Sequence, residues 1–269
     1  MPGVPSRHWL GTARAMRVAT FNILNGRTQS TDEVDVDALR KAVATLDADV
    51  LALQEVDRNQ PRSAHHDLTA IAAESMGAVE HRFVAALHGS PGTTWEAATG
   101  DEQPDAATYG IALLSRCPVR AWEVVRLPVV PVPAPVRFSD SPIPTLIRDE
   151  PRVAVAAVVE SPEGPVTVVN THLSFIRWWN GRQLRALVRA VDSAPRPLLL
   201  MGDLNMGPER AAGISGLRPL AAHPTFPADE PREQLDHVLA AGGLRASESS
   251  APHLPLSDHR ALVAEIAAA

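Results

Sequence analysis

The 269-residue chain holds a single cysteine, Cys117. An intramolecular disulfide framework and a cysteine-based zinc site are thereby excluded. Cys117 reads instead as a small buried apolar residue beside a strand. Lysine is as scarce, Lys41 being the only one, and the formal charge is −6. Such a chain has no global field with which to recruit polyanions, so a nucleic-acid enzyme would need a local basic groove. No apolar stretch reaches the roughly 20 residues of a membrane span, and residues 1–15 lack the apolar core of about 7–15 that a secretory leader needs. Residues 1–15 are expected to be a flexible extension and the location cytoplasmic. There is no internal repeat and no linker, so 16–269 is expected to form one domain, with no obligate protein partner in evidence.

What is present is an ordinary globular balance, 45% hydrophobic and 21% charged, in a chain long enough to bury a substantial core. Strands are expected over 16–22, 49–55, 79–87, 108–115, 118–127, 152–160, 165–171, 197–202, 235–240 and 260–266, from their aliphatic and β-branched content. Helical stripes run through Val36, Leu39, Val43 and Leu46, through Leu68, Ile71 and Met76 after an Asp67 cap, and through Leu184, Leu187, Val188 and Val191. Short turns between most neighbouring strands predict antiparallel pairing, with helices covering the outer faces of packed sheets. Residues 88–107 and the proline-rich 128–151 read as irregular loops, since proline removes a ladder donor and restricts its predecessor.

Six of the apolar runs end in metal-ligand or proton-transfer residues: Asn22, Glu55, His172, the Asp203/Asn205 pair, Asp236, and the Asp258/His259 pair. One such end is an ordinary turn. Six read as one sheet edge aiming carboxylates and imidazoles at one place, a divalent-metal phosphoester site. Around it, Asn170 precedes His172 by two and shares its face. His237 alternates to the opposite face from Asp236 and is left out of the site.

The motifs Phe21-Asn22, Leu53-Gln54-Glu55, Tyr109-Gly110, Leu113-Leu114-Ser115-Arg116, Asn170-Thr171-His172-Leu173, Gly202-Asp203-Leu204-Asn205, Leu235-Asp236-His237 and Ser257-Asp258-His259-Arg260 follow one another along the chain. In that order they resemble the endonuclease/exonuclease/phosphatase superfamily, the deoxyribonuclease I-like proteins. The resemblance implies an α+β fold, a four-layer α/β/β/α sandwich of two mostly antiparallel sheets flanked by helices. It also implies a metal site built on Asn22, Glu55 and Asp258. In several relatives a further acid lies two positions after the first Asn; Leu24 stands there, so one Mg²⁺ or Mn²⁺ ion is expected. Asp203 would activate water, Asn205 would hold phosphate or nucleophile, the Asp236–His259 pair would bind a phosphoryl oxygen, and His172 would assist the leaving group. Asn170, Tyr109 and Arg152 are the expected substrate contacts.

The implied reaction is hydrolysis of a phosphoester, most plainly a phosphodiester, by in-line attack of an activated water. A small phosphodiester, a phosphorylated metabolite or a phospholipid head group fits the charge better than nucleic acid. A DNA or RNA nuclease with a local groove of arginines (Arg58, Arg62, Arg177, Arg182, Arg185) is the first alternative. A non-catalytic phosphate-ligand binding protein is the second. Phe175, Ile176, Trp178 and Trp179, directly after His172, either rim the site or cover the following helix.

Overall fold

A computed structural model describes residues 15–29, 31, 33–136 and 143–268. The expected N-terminal extension lies outside them, Ala15 excepted. In chain order the first elements are β1 (Met16–Asn22), α1 (Val36–Leu46), β2 (Val50–Arg58), α2 (Leu68–Met76), β3 (Glu80–Gly89), β4 (Trp95–Ala97) and β5 (Thr108–Ser115). Then come β6 (Val119–Arg126), β7 (Ala134–Val136), β8 (Thr145–Ile147), β9 (Val153–Ser161), β10 (Gly164–His172) and α3 (Arg177–Ala190). The chain closes with β11 (Leu198–Asp203), α4 (Pro208–Ser215), β12 (Arg218–Pro219), β13 (Asp236–Ala241), β14 (Leu244–Ser250) and β15 (Leu262–Ala268).

Two sheets face each other. The first runs β14-β15-β1-β2-β5-β3-β4 and the second β12-β13-β11-β10-β9-β6. Pairing is antiparallel except for β1 with β2 and β10 with β11. In each of these two pairs a helix, α1 or α3, lies between the strands in the chain, as a parallel crossover requires.

Period-2 alternation assigns the faces. Val18, Val50, Ala52, Ile111 and Leu113 of the first sheet interlock with Val155, Val168, Leu199, Met201 and Val238 of the second. Cys117 belongs to this same buried layer. Their sequence neighbours Ala19, Phe21, Leu51, Leu53 and Leu114 face the other way, under Leu39, Val43 and Leu46 of α1 and Leu68 and Met76 of α2. On the far side Ala154, Val169, Leu198 and Leu200 carry Leu184 and Leu187 of α3 and Ala211 of α4. Burial on both faces is why these strands read as unbroken apolar runs. The result is helix, sheet, sheet, helix. Asp35 and Asp67 cap α1 and α2, accepting from the amides of Ala38 (2.8 Å) and Ala70 (2.9 Å).

All ten expected strands are present, and the ends move by only a few residues. Several short elements were not foreseen. Strand β14 is a polar, exposed edge without an apolar run, and α4 is too short for a periodic stripe. The two segments read as irregular hold β4 and the β7–β8 ribbon. Pro135 is tolerated in β7 because this ribbon is isolated from both main sheets and each of its strands is an edge.

Candidate active site

Three adjacent strands of the second sheet bring polar side chains level. His172 of β10 pairs with Asp203 of β11, which pairs with Asp236 of β13. All three continue the inward-facing rows of Val168, Met201 and Val238, so they project between the sheets where the apolar layer ends. From the facing sheet, Asn22 ends the inward row of β1.

Glu55 reaches the same space by an irregularity. Strict alternation would turn it outward, opposite to Gln54. A β-bulge between Leu53 and Val56 and a left-handed backbone at Glu55 (φ 55°) bring it in beside Asn22. Such a conformation costs a non-glycine residue about 1–3 kcal/mol and persists only where its surroundings impose it. A second device lies at Gly202, where φ is 138° and any Cβ would collide with the Thr171 carbonyl. Glycine lets β11 close on β10 just before Asp203.

The side chains converge on Asp203. Its Oδ2 accepts from Asn22 Nδ2 (3.1 Å) and lies 3.5 Å from His172 Nε2 and 3.8 Å from His259 Nε2. Its Oδ1 accepts from the Asn205 amide at 2.9 Å, a local turn bond that leaves Oδ2 for the site. Asn22 Nδ2 also donates to Glu55 Oε1 (3.0 Å), so one amide holds two carboxylates. Asn205, at φ 50°, gives its amide hydrogens to the Leu173 carbonyl (2.9 Å) and toward His172 Nε2 (3.3 Å). His259 Nδ1 sits 2.9 Å from Asp236 Oδ2. The ring of Phe226 packs on His259 with centroids 4.9 Å apart.

Burial sets the electrostatics. Loss of solvent lifts Asp203 to about 7, raised further by Asp236 against the pull of His259. Burial also raises Glu55, with Asp258 adding to the shift while Asn22 opposes it. For His259 burial works against the charged form, but Asp236, Asp203 and Asp258 outweigh it and hold the imidazolium up to about 10. His172 goes the other way: burial, then Arg152 and His259, push it well below the usual range. The two imidazoles therefore differ at neutral pH, His259 charged and His172 neutral.

Arg152 is 6% exposed, and its Nε has no hydrogen-bond partner. Asp149 and Glu150 approach its Nη2 only to 3.7 and 3.5 Å. Its charge acts on Glu55, Tyr109 and His172. Tyr109 is buried under Arg62, 5.3 Å from ring to guanidinium, and next to Trp95 at 5.6 Å. Arg62 is itself tied to Asp57 by two bonds of 2.8 and 2.7 Å, and Arg58 lies over Phe83. Those two arginines do not form an open basic track.

The structure thus gathers Asn22, Glu55, His172, Asp203, Asn205, Asp236 and His259, with Asp258, Arg152 and Tyr109 at their margin. Asn170 does not join them. It is fully buried lower between the sheets, donating to the Leu53 (3.0 Å) and Ala112 (2.7 Å) carbonyls and accepting from Gln54 Nε2 (2.7 Å). With its amide spent on the facing sheet, a phosphate contact does not fit. His237 faces α4, bonded to the Met206 carbonyl at 2.8 Å, on the side opposite Asp236 as its parity requires. Trp179 is buried and Trp178 is 57% exposed, so one of the two covers the helix and the other does not.

Three supporting residues had no role in the sequence reading. Ser257 Oγ donates to the Asn22 carbonyl (2.6 Å) and accepts from the His259 amide (3.1 Å), which its position in the Ser-Asp-His motif could have signalled. Thr225 Oγ1 accepts from the amides of Leu235 (3.2 Å) and Asp236 (3.3 Å). Neither Thr225 nor Phe226 stands in a pattern that announces it.

Asp203, Asp236 and His259 offer ligand atoms within 4.8 Å of one another, so this buried group could hold a metal ion. The hydrogen bond closing Asp236 onto a protonated His259 argues against those two as ligands. The oxygen donors of Glu55, raised by burial and by the charge of Asp258, and of Asp258 itself are the better match for a hard divalent cation. Asn22 fits less simply: its Nδ2 faces the carboxylates while its Oδ1 accepts from the Leu24 amide (3.1 Å). Acting as an oxygen ligand would require that amide to turn over.

Comparison with solved structures returns the same architecture. An endonuclease/exonuclease/phosphatase from Beutenbergia cavernae superposes with a TM-score of 0.69 at 22% identity, over 95% of this chain and 72% of that one. Sphingomyelinase C from Streptomyces griseocarneus gives 0.58 at 19% identity, over 93% and 98%. A mannosyl-6-phosphatase from Bacteroides thetaiotaomicron gives 0.61 at 14%, over 94% and 100%. These likenesses establish the deoxyribonuclease I-like fold. No curated protein matches the chain by sequence. The profile of the Endonuclease/Exonuclease/phosphatase family, whose members are phosphoester hydrolases, spans residues 19–259, and the chain belongs to that family.

Proposed function

We propose that this protein is a divalent-metal-dependent phosphoesterase, a phosphodiesterase in the first instance, that hydrolyses its substrate by in-line attack of water, residues 16–269 acting as one unit in the cytoplasm. The observation that carries this reading is Asp203. A carboxyl buried between two imidazoles and lifted to about 7 is poised to take a proton from water near neutral pH. A purely binding protein gains nothing from a poised base, nor from an Asp236–His259 pair that fixes both tautomer and charge.

The remaining side chains receive the phosphoryl group. His259, kept protonated by Asp236, offers Nε2–H to a phosphoryl oxygen beside Asp203. Arg152, with an unpartnered Nε, offers a second charged donor from the opposite margin. His172 is neutral at pH 7 with its Nε2 accepting from Asn205, so it does not serve as the acid for the departing alcohol. Asn205 keeps His172 in place through its amide. Glu55 and Asp258 would hold one Mg²⁺ or Mn²⁺ ion, joined by Asn22 if its amide turns. Bound there, the cation supplies Lewis-acid polarisation of the phosphoryl oxygens.

Two fold relatives, a sphingomyelinase and a mannosyl-6-phosphatase, span a lipid and a sugar phosphate. Both are compatible with an acidic chain whose Arg58 and Arg62 are internally engaged. The test is hydrolysis of bis-p-nitrophenyl phosphate, DNA, RNA, sphingomyelin and inositol phosphates with Mg²⁺, Mn²⁺ or EDTA. Metal-dependent turnover of one class, lost in Asp203→Asn, supports the reading. Wild-type turnover in that variant refutes the mechanism.

A further inference from the structure

Exposed large apolar side chains are rare among the described residues, and six of seven belong to one region. Val129 (48% exposed) and Val132 (59%) lie in the segment leading into β7. Ile143 (73%) and Leu146 (70%) lie on or beside β8, and Phe175 (39%) and Trp178 (57%) at the start of α3. These segments are packed together. Val130, Ala134 and Val136 form one cluster with Ile176 and Trp179, and Trp179 Nε1 donates to the Pro128 carbonyl at 2.8 Å. The β7–β8 ribbon joins neither main sheet, and among the described residues its Leu146 side chain stays exposed.

Exposed arginines flank this face, with the acids Glu209 and Glu233 set in the adjoining hollow that Phe175 and Arg177 line. Arg148 directly follows β8, and Arg177 and Arg182 are exposed on the first turns of α3, Arg182 one turn beyond Trp178. Asp149 and Glu150, which follow Arg148, are turned toward Arg152. The face also adjoins the candidate active site. Phe175 lines a hollow shared with Asn205 and Met206, and Asn180 Nδ2 of α3 donates to the Asn205 carbonyl at 2.8 Å.

We infer that the β7–β8 ribbon and the N-terminal turns of α3 form a docking surface for an anionic phospholipid bilayer. Apolar tips ringed by arginines suit a membrane interface, where the side chains enter the acyl boundary and the guanidinium groups meet lipid phosphates. A second copy is the poorer occupant. A two-fold contact would set the same arginines against one another. Docking here would present lipid head groups to the hollow beside Asn205. That consequence, a membrane phosphodiester as substrate, rests on the phosphoesterase reading; the docking itself does not.

Co-sedimentation of the full chain with vesicles of phosphatidylcholine, with and without phosphatidylserine, tests the surface. Pelleting with the anionic vesicles is expected, weakened at least about tenfold in a Leu146→Ser/Trp178→Ala double variant. Arg148→Gln and Arg182→Gln should each weaken it about fivefold. Thermal melting and hydrolysis of soluble bis-p-nitrophenyl phosphate should stay at the wild-type level in all of these. Wild-type protein left in the supernatant with both vesicle types overturns the inference. So does a double variant that pellets like the wild type, or a dimer that buries the face and ignores vesicles. Because pelleting needs no turnover, an inactive protein that still pellets would refute the phosphoesterase reading and leave the docking surface standing.

Discussion

His259 Nδ1 and Asp236 Oδ2 lie 2.9 Å apart, the imidazole on the segment before β15 in one sheet and the carboxylate at the head of β13 in the other. Asp236 is fully buried, and its second oxygen has no partner. The pair is thus the main compensation for either charge. Asp236→Asn should bring the His259 pKa down from about 10 toward the ordinary 6.5. The stability this histidine contributes is complete below pH 6.5 and lost as pH rises through about 10. The variant should therefore be less stable at pH 7 by about 3–5 kcal/mol, as when one partner of a buried pair is removed. The gap should narrow above pH 10. Urea unfolding across pH reads the stability, NMR titration of the imidazole reads the pKa, and turnover should fall about 10- to 100-fold. An unmoved His259 titration would show that Asp236 does not hold its charge.

Cation binding should release protons. Asp203 is lifted to about 7 and so holds a proton part of the time at pH 7, which a cation bound beside it would displace; burial and Asp258 shift Glu55 in the same direction. Mg²⁺ titration by calorimetry in two buffers of different ionisation enthalpy should reveal that release, and affinity should climb with pH through about 7. Glu55→Gln should reduce both. Heats independent of buffer would mean the carboxylates are already ionised.

Much of this site was legible because its residues end apolar strands inside recognisable motifs. Parity along β13 separates Asp236 from His237, whereas the stripe of α3 marks a helix without revealing that β10 and β11 pair in parallel. Glu55 shows the limit. Alternation sends it to the helix-covered face, and only the bulge at φ 55° returns it to Asn22, a feature with no period to read. The opposite charge states of His172 and His259 were equally hidden, since they depend on which neighbours crowd each buried ring. The β7–β8 ribbon was read as loop because proline content tells against a central strand and says nothing of an isolated pair.

Asp203→Asn should separate stability from activity. A carboxyl whose folded pKa is raised from 3.8 to about 7 contributes stability that is complete below pH 3.8 and lost as pH rises through about 7. In EDTA the wild-type protein should lose stability across that window on account of this group. The asparagine variant should lack that part of the slope and melt higher than the wild type at pH 8, while turnover disappears. A variant that melts lower at pH 8 would mean that Asp203 is stabilised as the anion by Asn22 and His259 more than burial penalises it.

Asn170→Ala distinguishes a tie between the sheets from a substrate contact. The change strands the Leu53 and Ala112 carbonyls and one Gln54 amide hydrogen among fully buried residues. Each unsatisfied buried group costs about 1–3 kcal/mol, so the loss should rank among the large single-residue effects. Gln54 also bonds Thr20 Oγ1 (3.0 Å), so the damage should extend to β1 as lost amide-exchange protection around Thr20. KM for a soluble phosphodiester, measured well below the melting temperature, should stay within about twofold of wild type, because nothing in the chemistry touches residue 170. A KM raised tenfold with stability intact would reverse the assignment and return Asn170 to the substrate.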